Sequence, residues 1–139
     1  MRFWDTSALV PLLIKEKFTI KTKSWLHEDA AIVVWTLTPI EIISALQRRY
    51  REGIVDMQQL MHVTKRADEL IASCRMVIDV EKVKPLAVRL LCTHSLKAAD
   101  ALQLAAALVW AGEPTGRVFH TFDKRLADAA FSEGFVTNQ

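Results

Sequence analysis

Four carboxylates, far apart in the chain, each stand where a strand-like apolar run ends or a helix begins: Asp5, Glu41, Asp100 and Asp123. In a parallel α/β fold the carboxyl ends of the strands meet at one edge of the sheet, where ligands bind. Acids near several strand ends are therefore expected to converge. A cluster of carboxylates repels itself unless a cation lies within it, and oxygen-only ligands suit Mg²⁺ or Mn²⁺. The pattern indicates metal-assisted chemistry on a phosphate group.

Each acid also has a structural explanation when it is considered alone. Asp5 and Asp123 could cap the helices that follow them by accepting a backbone N–H. The segment Thr38-Pro39-Ile40-Glu41 matches a capping box with proline at the first helical position. Asp100 could be a first-turn acid that faces solvent and the positive end of its helix. Only the joint placement of the four acids favours a functional site.

Alternating strand-like and helical segments are expected to position these acids. Strands are predicted at residues 2–4, 31–35, 76–80, 118–119 and 135–136, and helices at residues 7–14, 19–28, 38–52, 56–73, 82–92, 95–110 and 123–133. Pro11 puts the regularity of the first helix in question, and Ser95 is the expected cap of the helix that carries Asp100. The alternation predicts an α/β fold with a parallel sheet covered on both faces, and residues 1–139 are expected to form one domain.

Composition narrows the function only slightly. The chain is 51% apolar and 24% charged, as expected for a folded globular protein. Its net charge of +2 is too small to imply nucleic-acid binding by itself. Basic residues do cluster at 15–23, 48–51 and 124–125, where they could hold a phosphate backbone. Solvated helix faces are the ordinary alternative for most of them.

Other chemistries and compartments have little support. The sequence contains no G-x-G-x-x-G or G-x-x-x-x-G-K-S/T phosphate loop and no G-x-S-x-G motif. Cys74 and Cys92 give neither metal-ligand spacing nor a disulfide framework. The apolar amino-terminal run is interrupted by Asp5, and no apolar run reaches the roughly 20 residues that a membrane span needs. We expect a cytoplasmic protein without membrane association.

Four segments, in order along the chain, resemble the PIN-domain ribonucleases, and more narrowly the VapC-type toxins of toxin–antitoxin pairs. They are Asp5-Thr6-Ser7-Ala8-Leu9-Val10, Glu41 at a helix start, Asp100-Ala101-Leu102-Gln103-Leu104-Ala105 and Thr121-Phe122-Asp123-Lys124-Arg125-Leu126-Ala127. The resemblance covers essentially the whole chain. It implies a three-layer α/β/α sandwich with a central parallel sheet, Mg²⁺- or Mn²⁺-dependent endoribonuclease activity, a cognate antitoxin and a homodimer.

The resemblance also implies roles for individual residues. Asp5, Asp100 and Asp123 match the family's metal ligands, and Glu41 matches an acid that binds the metal or orients the attacking water. The family's hydroxyl positions near the site fall on two threonines, Thr6 and Thr121. The chain departs from the family at Trp4, which is bulky, and at Trp35-Thr36, where a small polar residue is expected.

Two other functions fit part of the pattern. A phosphatase of the haloacid-dehalogenase type would use an aspartate after the first strand as its nucleophile, but Ser7 stands where its D-x-D-G-T motif has a second Asp. A non-catalytic binding module would use the acids only as helix caps.

A possible partner surface lies early in the chain. Five apolar residues on a Lys-rich segment are expected to form a groove for an amphipathic antitoxin helix: Leu12, Leu13, Phe18, Trp25 and Leu26. The alternatives are packing inside the domain or against a second copy of the chain.

Overall fold

The computed structural model describes residues 1–137. Its five strands are β1 (Arg2–Trp4), β2 (Ile32–Trp35), β3 (Arg75–Val77), β4 (Val118–His120) and β5 (Val136–Thr137). Its seven helices are α1 (Thr6–Leu13), α2 (Thr19–Glu28), α3 (Thr38–Arg51), α4 (Met57–Ala72), α5 (Val80–Thr93), α6 (Ala98–Ala111) and α7 (Lys124–Ser132). The predicted single domain, residues 1–139, includes residues 138 and 139, which lie outside the described part.

The five strands form one parallel sheet in the order β3-β2-β1-β4-β5. The strand β1 is central, since Phe3 pairs with Val33 of β2 and with Phe119 of β4. All carboxyl ends lie at the same edge, so the segments that follow β1, β2 and β4 are brought together there.

Two separate hydrophobic cores, one on each face of the sheet, confirm the predicted three-layer α/β/α sandwich. Successive strand residues point to opposite faces, so Phe3 lies in the core with α5, α6 and α7, whereas Trp4 lies in the core with α1 to α4. Trp35 is buried in the first of these cores. The two tryptophans that depart from the family therefore fill the cores, and within residues 1–137 their indole nitrogens have no hydrogen-bond partner.

Helix α6 packs a face of small residues against the sheet. Ala101, Leu104 and Ala105 are completely buried, and alanine is the strongest helix former. The helix ends at Gly112, whose φ of 63° is in the left-handed region that favours glycine. The prediction that Ser95 caps this helix is wrong, because the helix begins after Lys97, which makes no side-chain cap.

One other local prediction is wrong, while the first predicted helix is found. The third strand ends at Val77 rather than at residue 80, because Asp79 accepts the Lys82 N–H and starts α5. Helix α1 continues through Pro11 to Leu13, although proline removes one backbone donor. Its last turn is held by the Ile14 N–H, which donates to the Val10 carbonyl.

A stack of four rings joins the segment before α2 to the loop after β4. The ring of Phe18 lies 4.0 Å from that of Phe122, Phe122 lies 5.0 Å from Trp25, and Trp25 lies 4.1 Å from His120. His120 is fully buried, and this burial, with help from the nearby Arg2 charge, lowers its pKa to about 3. His120 is therefore a neutral packing residue.

Within residues 1–137, no helix is long and apolar enough to cross a membrane.

Candidate active site

Asp5 occupies the turn between β1 and α1. Its backbone N–H donates to the His120 carbonyl at 3.1 Å, which ties this turn to the end of β4. Its carboxylate caps α1 by accepting the Ala8 N–H at 3.3 Å and also accepts the Ser7 hydroxyl at 2.7 Å. The side chain is nearly buried, with 5% exposure. Asp5 is therefore both a helix cap and an acid held in a fixed place.

The loop after β4 brings Asp123 to the same edge. Asp123 caps α7 by accepting the Leu126 N–H at 3.0 Å, and its own N–H donates to the Thr121 hydroxyl at 3.0 Å. The Ser7 hydroxyl lies 3.2 Å from that of Thr121 and accepts the Phe122 N–H at 2.8 Å. Ser7 thus joins the turn that holds Asp5 to the loop that holds Asp123.

Glu41 reaches away from its own helix. The predicted capping box is wrong, because α3 begins after Leu37 without a side-chain cap, and the Thr38 hydroxyl accepts the Trp35 N–H instead. The Glu41 carboxylate accepts the Thr6 hydroxyl at 3.0 Å and lies 3.3 Å from the Gln103 amide nitrogen. Its partners therefore belong to α1 and α6.

All four predicted acids line one cavity of about 510 Å³ at this edge of the sheet. Thr6, Arg48 and Arg49 also line it. A second cavity, of about 430 Å³, shares Asp100 and Asp123 with the first and adds Ser95, Lys97, Lys124 and Arg125. The acids are together, as the strand-end argument predicts; the roles assigned to them stay predictions.

Burial and mutual repulsion raise the pKa values of three of these carboxyl groups, those of Asp5, Glu41 and Asp100. Burial raises the pKa of Asp5 to about 7 against its hydrogen bonds, and the Glu41 charge adds to the rise. Burial also raises the pKa of Glu41, with a contribution from Asp100. The pKa of Asp100 is raised by burial and then by Asp123, while Lys97 opposes the shift. The four charges are thus coupled, and a cation between them would relieve the repulsion.

The side chains of the cavity fit a Mg²⁺ or Mn²⁺ ion that keeps some of its waters better than an ion enclosed by protein ligands alone. Within residues 1–137, no three His, Cys, Asp or Glu side chains are close enough together to enclose one ion by themselves. The cavity instead offers separated carboxylates and hydroxyls around open space. Mg²⁺ usually keeps several waters and binds through one or two carboxylates, which this arrangement permits.

Sequence reasoning missed two polar residues of the site, Ser7 and Gln103. Ser7 belongs to the first motif, but its bonds to both turns depend on the pairing of β1 with β4. Gln103 is 1% exposed and lies three residues after Asp100, which puts it about one helical turn along the same side of α6. The sequence did contain a signal for Gln103, since a single amide among alanines and leucines indicates a buried polar contact.

The PIN domain family model matches residues 2–132. Ribonuclease VapC47 of Mycobacterium tuberculosis is 34% identical over 143 residues, covering 99% of this chain and 95% of the relative. A toxin-antitoxin complex from Klebsiella pneumoniae shares the fold, with a TM-score of 0.65, 18% identity and 91% coverage of both chains. FitAcB from Neisseria gonorrhoeae has a TM-score of 0.70 at 15% identity, covering 99% of this chain and 97% of that one. This chain therefore belongs to the PIN-domain family.

Proposed function

We propose that this protein is a metal-dependent endoribonuclease and the toxin of a toxin–antitoxin pair. The observation that carries the proposal is the convergence of four electrostatically coupled acids on one cavity at the carboxyl edge of the sheet. Membership of the PIN family and 34% identity to a protein named a ribonuclease support RNA as the substrate. An RNA substrate and an antitoxin partner both support a cytoplasmic location for this proposed activity.

In this proposal Asp5, Asp100 and Asp123 hold Mg²⁺ or Mn²⁺, directly or through water, and Glu41 holds the ion or orients the attacking water. When bound, the ion supplies a lowered pKa for coordinated water and stabilises charge on the phosphate. The chain itself fixes the acids. The Ser7 hydroxyl and Ala8 N–H hold Asp5, and the Leu126 N–H holds Asp123.

Neither alternative function accounts for the whole site. The haloacid-dehalogenase reading requires a second Asp where Ser7 stands, and Ser7 bonds to Asp5 and to the Phe122 N–H. The helix-cap reading explains Asp5 and Asp123 but not Glu41, which does not cap α3. Asp100 is not a cap either, because Lys97 is the cap position of α6. Its place in the first turn suits an acid near the positive helix end, but that does not explain why it lines both cavities beside Asp123.

Cleavage of a defined RNA tests the proposed function directly. The purified protein is incubated with a long RNA in Mg²⁺, in Mn²⁺ or in EDTA, and the product ends are mapped. We expect internal cleavage that EDTA abolishes, and end-mapping of cellular RNA after brief induction should then identify the target. A covalent aspartyl-phosphate on Asp5 would instead support the phosphatase reading.

Glu41→Gln is expected to lower the cleavage rate about 10–100-fold, the range typical of polar partners around a metal site. The substitution removes the negative charge and turns an NH₂ group toward the Gln103 amide, where two donors then compete. Helix α3 should persist, because Glu41 does not cap it. Initial rates and far-ultraviolet circular dichroism measure the two effects. Glu52→Gln, at the exposed end of α3, is the matched control, and equal activity of the two variants would return Glu41 to a structural role.

Basic side chains on both sides of the acids are suited to hold the RNA backbone. Arg48 and Arg49 line one cavity, while Lys97, Lys124 and Arg125 line the adjoining one. Arg49 also pairs with Glu16 at 3.3 Å. An RNA strand that runs through both cavities would pass Asp100 and Asp123, with its phosphates near these cationic side chains.

Arg48→Glu and Arg125→Glu are each expected to raise KM for RNA severalfold and to reduce the salt dependence of binding by about one charge, because each removes a phosphate contact. Arg51→Glu is the control, since Arg51 lies at the exposed end of α3 outside both cavities. Binding of a catalytically inactive variant to labelled RNA between low and high salt provides the measurement. Equal losses in all three variants would indicate only a general charge effect.

The predicted partner surface needs a correction. Leu13 and Trp25 are buried in the core, and Leu12, Phe18 and Leu26 are half-buried, so the five residues do not form an exposed stripe. A cavity of about 470 Å³ remains beside them, lined by Pro11, Leu12, Leu13, Lys15, Glu16, Lys17, Thr19, Ile20, Lys23 and Arg66. We propose that a cognate antitoxin binds there and that the toxin forms a homodimer. The product of the adjacent gene should co-purify with this protein, and the complex should not cleave RNA. Light scattering measures how many copies of the chain assemble.

A further inference from the structure

Gln103 is the polar member of the buried face of α6. Its neighbours on that face are alanines and leucines, and only 1% of the residue is exposed. Burial of an amide is costly unless it is hydrogen-bonded. The partners of this side chain therefore explain why a polar residue is tolerated here.

Those partners belong to the active site. The Gln103 Nε2 atom lies 3.3 Å from both carboxylate oxygens of Glu41 and 3.3 Å from the Thr6 hydroxyl. It is also 3.2 Å from the Thr38 hydroxyl. A carboxylate can only accept, so the NH₂ end of the amide must face Glu41. Hydrogen bonds to an ionised group are about twice as strong as neutral ones, so Glu41 is the dominant partner.

The same amide connects two helices that each carry an acid of the site. Asp100 and Gln103 are about one turn apart on α6, and Glu41 is on α3. A second donor to Glu41 is the Thr6 hydroxyl from the first turn of α1. Gln103 and Thr6 therefore both donate to the Glu41 carboxylate.

We propose that Gln103 is a positioning residue, which sets the place of the Glu41 carboxylate relative to Asp100 across the cavity. The inference rests on the proposed function, since it takes Glu41 as part of the active site. Gln103 does not line either cavity, so it acts through Glu41 rather than on RNA.

Gln103→Met provides the first test. Methionine is unbranched and flexible enough to fill the same buried space, but it has no donor for Glu41. We expect kcat to fall about 10–100-fold with KM for RNA unchanged, as is typical when an outer partner of a metal site is lost. We also expect Mn²⁺ affinity, measured by calorimetry without RNA, to fall about 10-fold. Leu108→Ala, a half-buried residue of α6 that packs against the core, is the control for general loosening of the helix.

A double-mutant cycle separates positioning from general damage. If Gln103 acts through Glu41, adding Gln103→Met to Glu41→Gln should lower kcat by less than about 3-fold further. Fully multiplicative losses, or wild-type kcat and Mn²⁺ affinity in Gln103→Met, would overturn the proposal.

Two further outcomes remain interpretable. If Gln103→Met does not fold, Gln103→Asn replaces it, because asparagine keeps an amide in the core but cannot reach as far. This variant should show the same selective loss of kcat and Mn²⁺ affinity. Wild-type values of both quantities would reject the positioning role. If the wild-type protein cleaves no RNA, the proposed function fails, while the Mn²⁺ affinities of the variants still decide whether Gln103 positions Glu41.

Discussion

Asp5→Asn is expected to stabilise the metal-free protein and abolish RNA cleavage at the same time. Asp5 is nearly buried, and its pKa rises from 3.8 to about 7 on folding. Above pH 7 the folded state must carry this charge, at a cost of up to about 4 kcal/mol at roughly 1.4 kcal/mol per pKa unit. Asparagine removes the charge and keeps an oxygen to accept the Ala8 N–H.

The sign of the pH dependence follows from the raised pKa. Between pH 4 and pH 7 the folded protein binds more protons at Asp5 than the unfolded chain does, so this group makes stability fall as pH rises. Asp5→Asn should flatten that part of the profile. The raised pKa values of Glu41 and Asp100 act in the same direction and remain in the variant. Urea unfolding in EDTA at several pH values measures the difference.

Asp79→Asn is the matched control for Asp5→Asn. Asp79 also caps a helix, through the Lys82 N–H at 3.1 Å, but its side chain is 46% exposed and it lies outside both cavities. We expect its stability to change by less than about 0.5 kcal/mol, as for most surface substitutions. Mn²⁺ should stabilise the wild type and the Asp79 variant but not Asp5→Asn. A destabilised, active Asp5→Asn protein would contradict both the burial argument and the site assignment.

Asp123 should respond differently to Asn and Ala, because it has two roles. Both substitutions remove a proposed metal ligand, so both should reduce cleavage by more than the roughly 100-fold typical of outer partners. Only alanine also removes the cap of α7, where Asp123 accepts the Leu126 N–H. Asp123→Ala should therefore unfold about 1 kcal/mol more easily than Asp123→Asn. Single-turnover cleavage and urea midpoints measure the two effects.

The Asn and Ala variants of Asp56 provide the reference for those of Asp123. Asp56 caps α4 through the Gln59 N–H and lines neither of the two cavities. Its Asn and Ala variants should show the same difference in stability with cleavage unchanged. If Asp123→Asn cleaves RNA at the wild-type rate, Asp123 is a cap alone.

The fold and the meeting of the acids were predictable because both depend on short-range patterns. Alternating strands and helices imply a parallel sheet, and a parallel sheet places all strand ends at one edge. Asp5 follows β1 directly and Asp123 comes three residues after β4, so their convergence required no knowledge of side-chain contacts.

The partners of Glu41 and the burial of the Lys-rich segment could not be predicted, because both depend on tertiary contacts that local sequence patterns do not contain. Thr38 and Glu41 have the spacing of a capping box, but Thr6 and Gln103, distant in sequence, provide the bonds that Glu41 makes. The Lys-rich segment around Trp25 looks amphipathic, yet Phe122, about a hundred residues later, stacks on that ring and covers it. Exposure could not be inferred because the covering residue belongs to another part of the chain.

The central place of β1 has a consequence for how the protein is made. The strand β1 is synthesised well before β4, with which it pairs, and the Asp5 N–H donates to the His120 carbonyl. Chains are synthesised from the amino terminus at roughly 5–20 residues per second, so Asp5 must wait several seconds for the strand that completes its surroundings. Asp123 follows only after that strand. A nascent or prematurely terminated chain that lacks this last segment has three of the four acids and no β4 to hold them together. The proposed nuclease therefore becomes competent only after β4 and Asp123 have been synthesised.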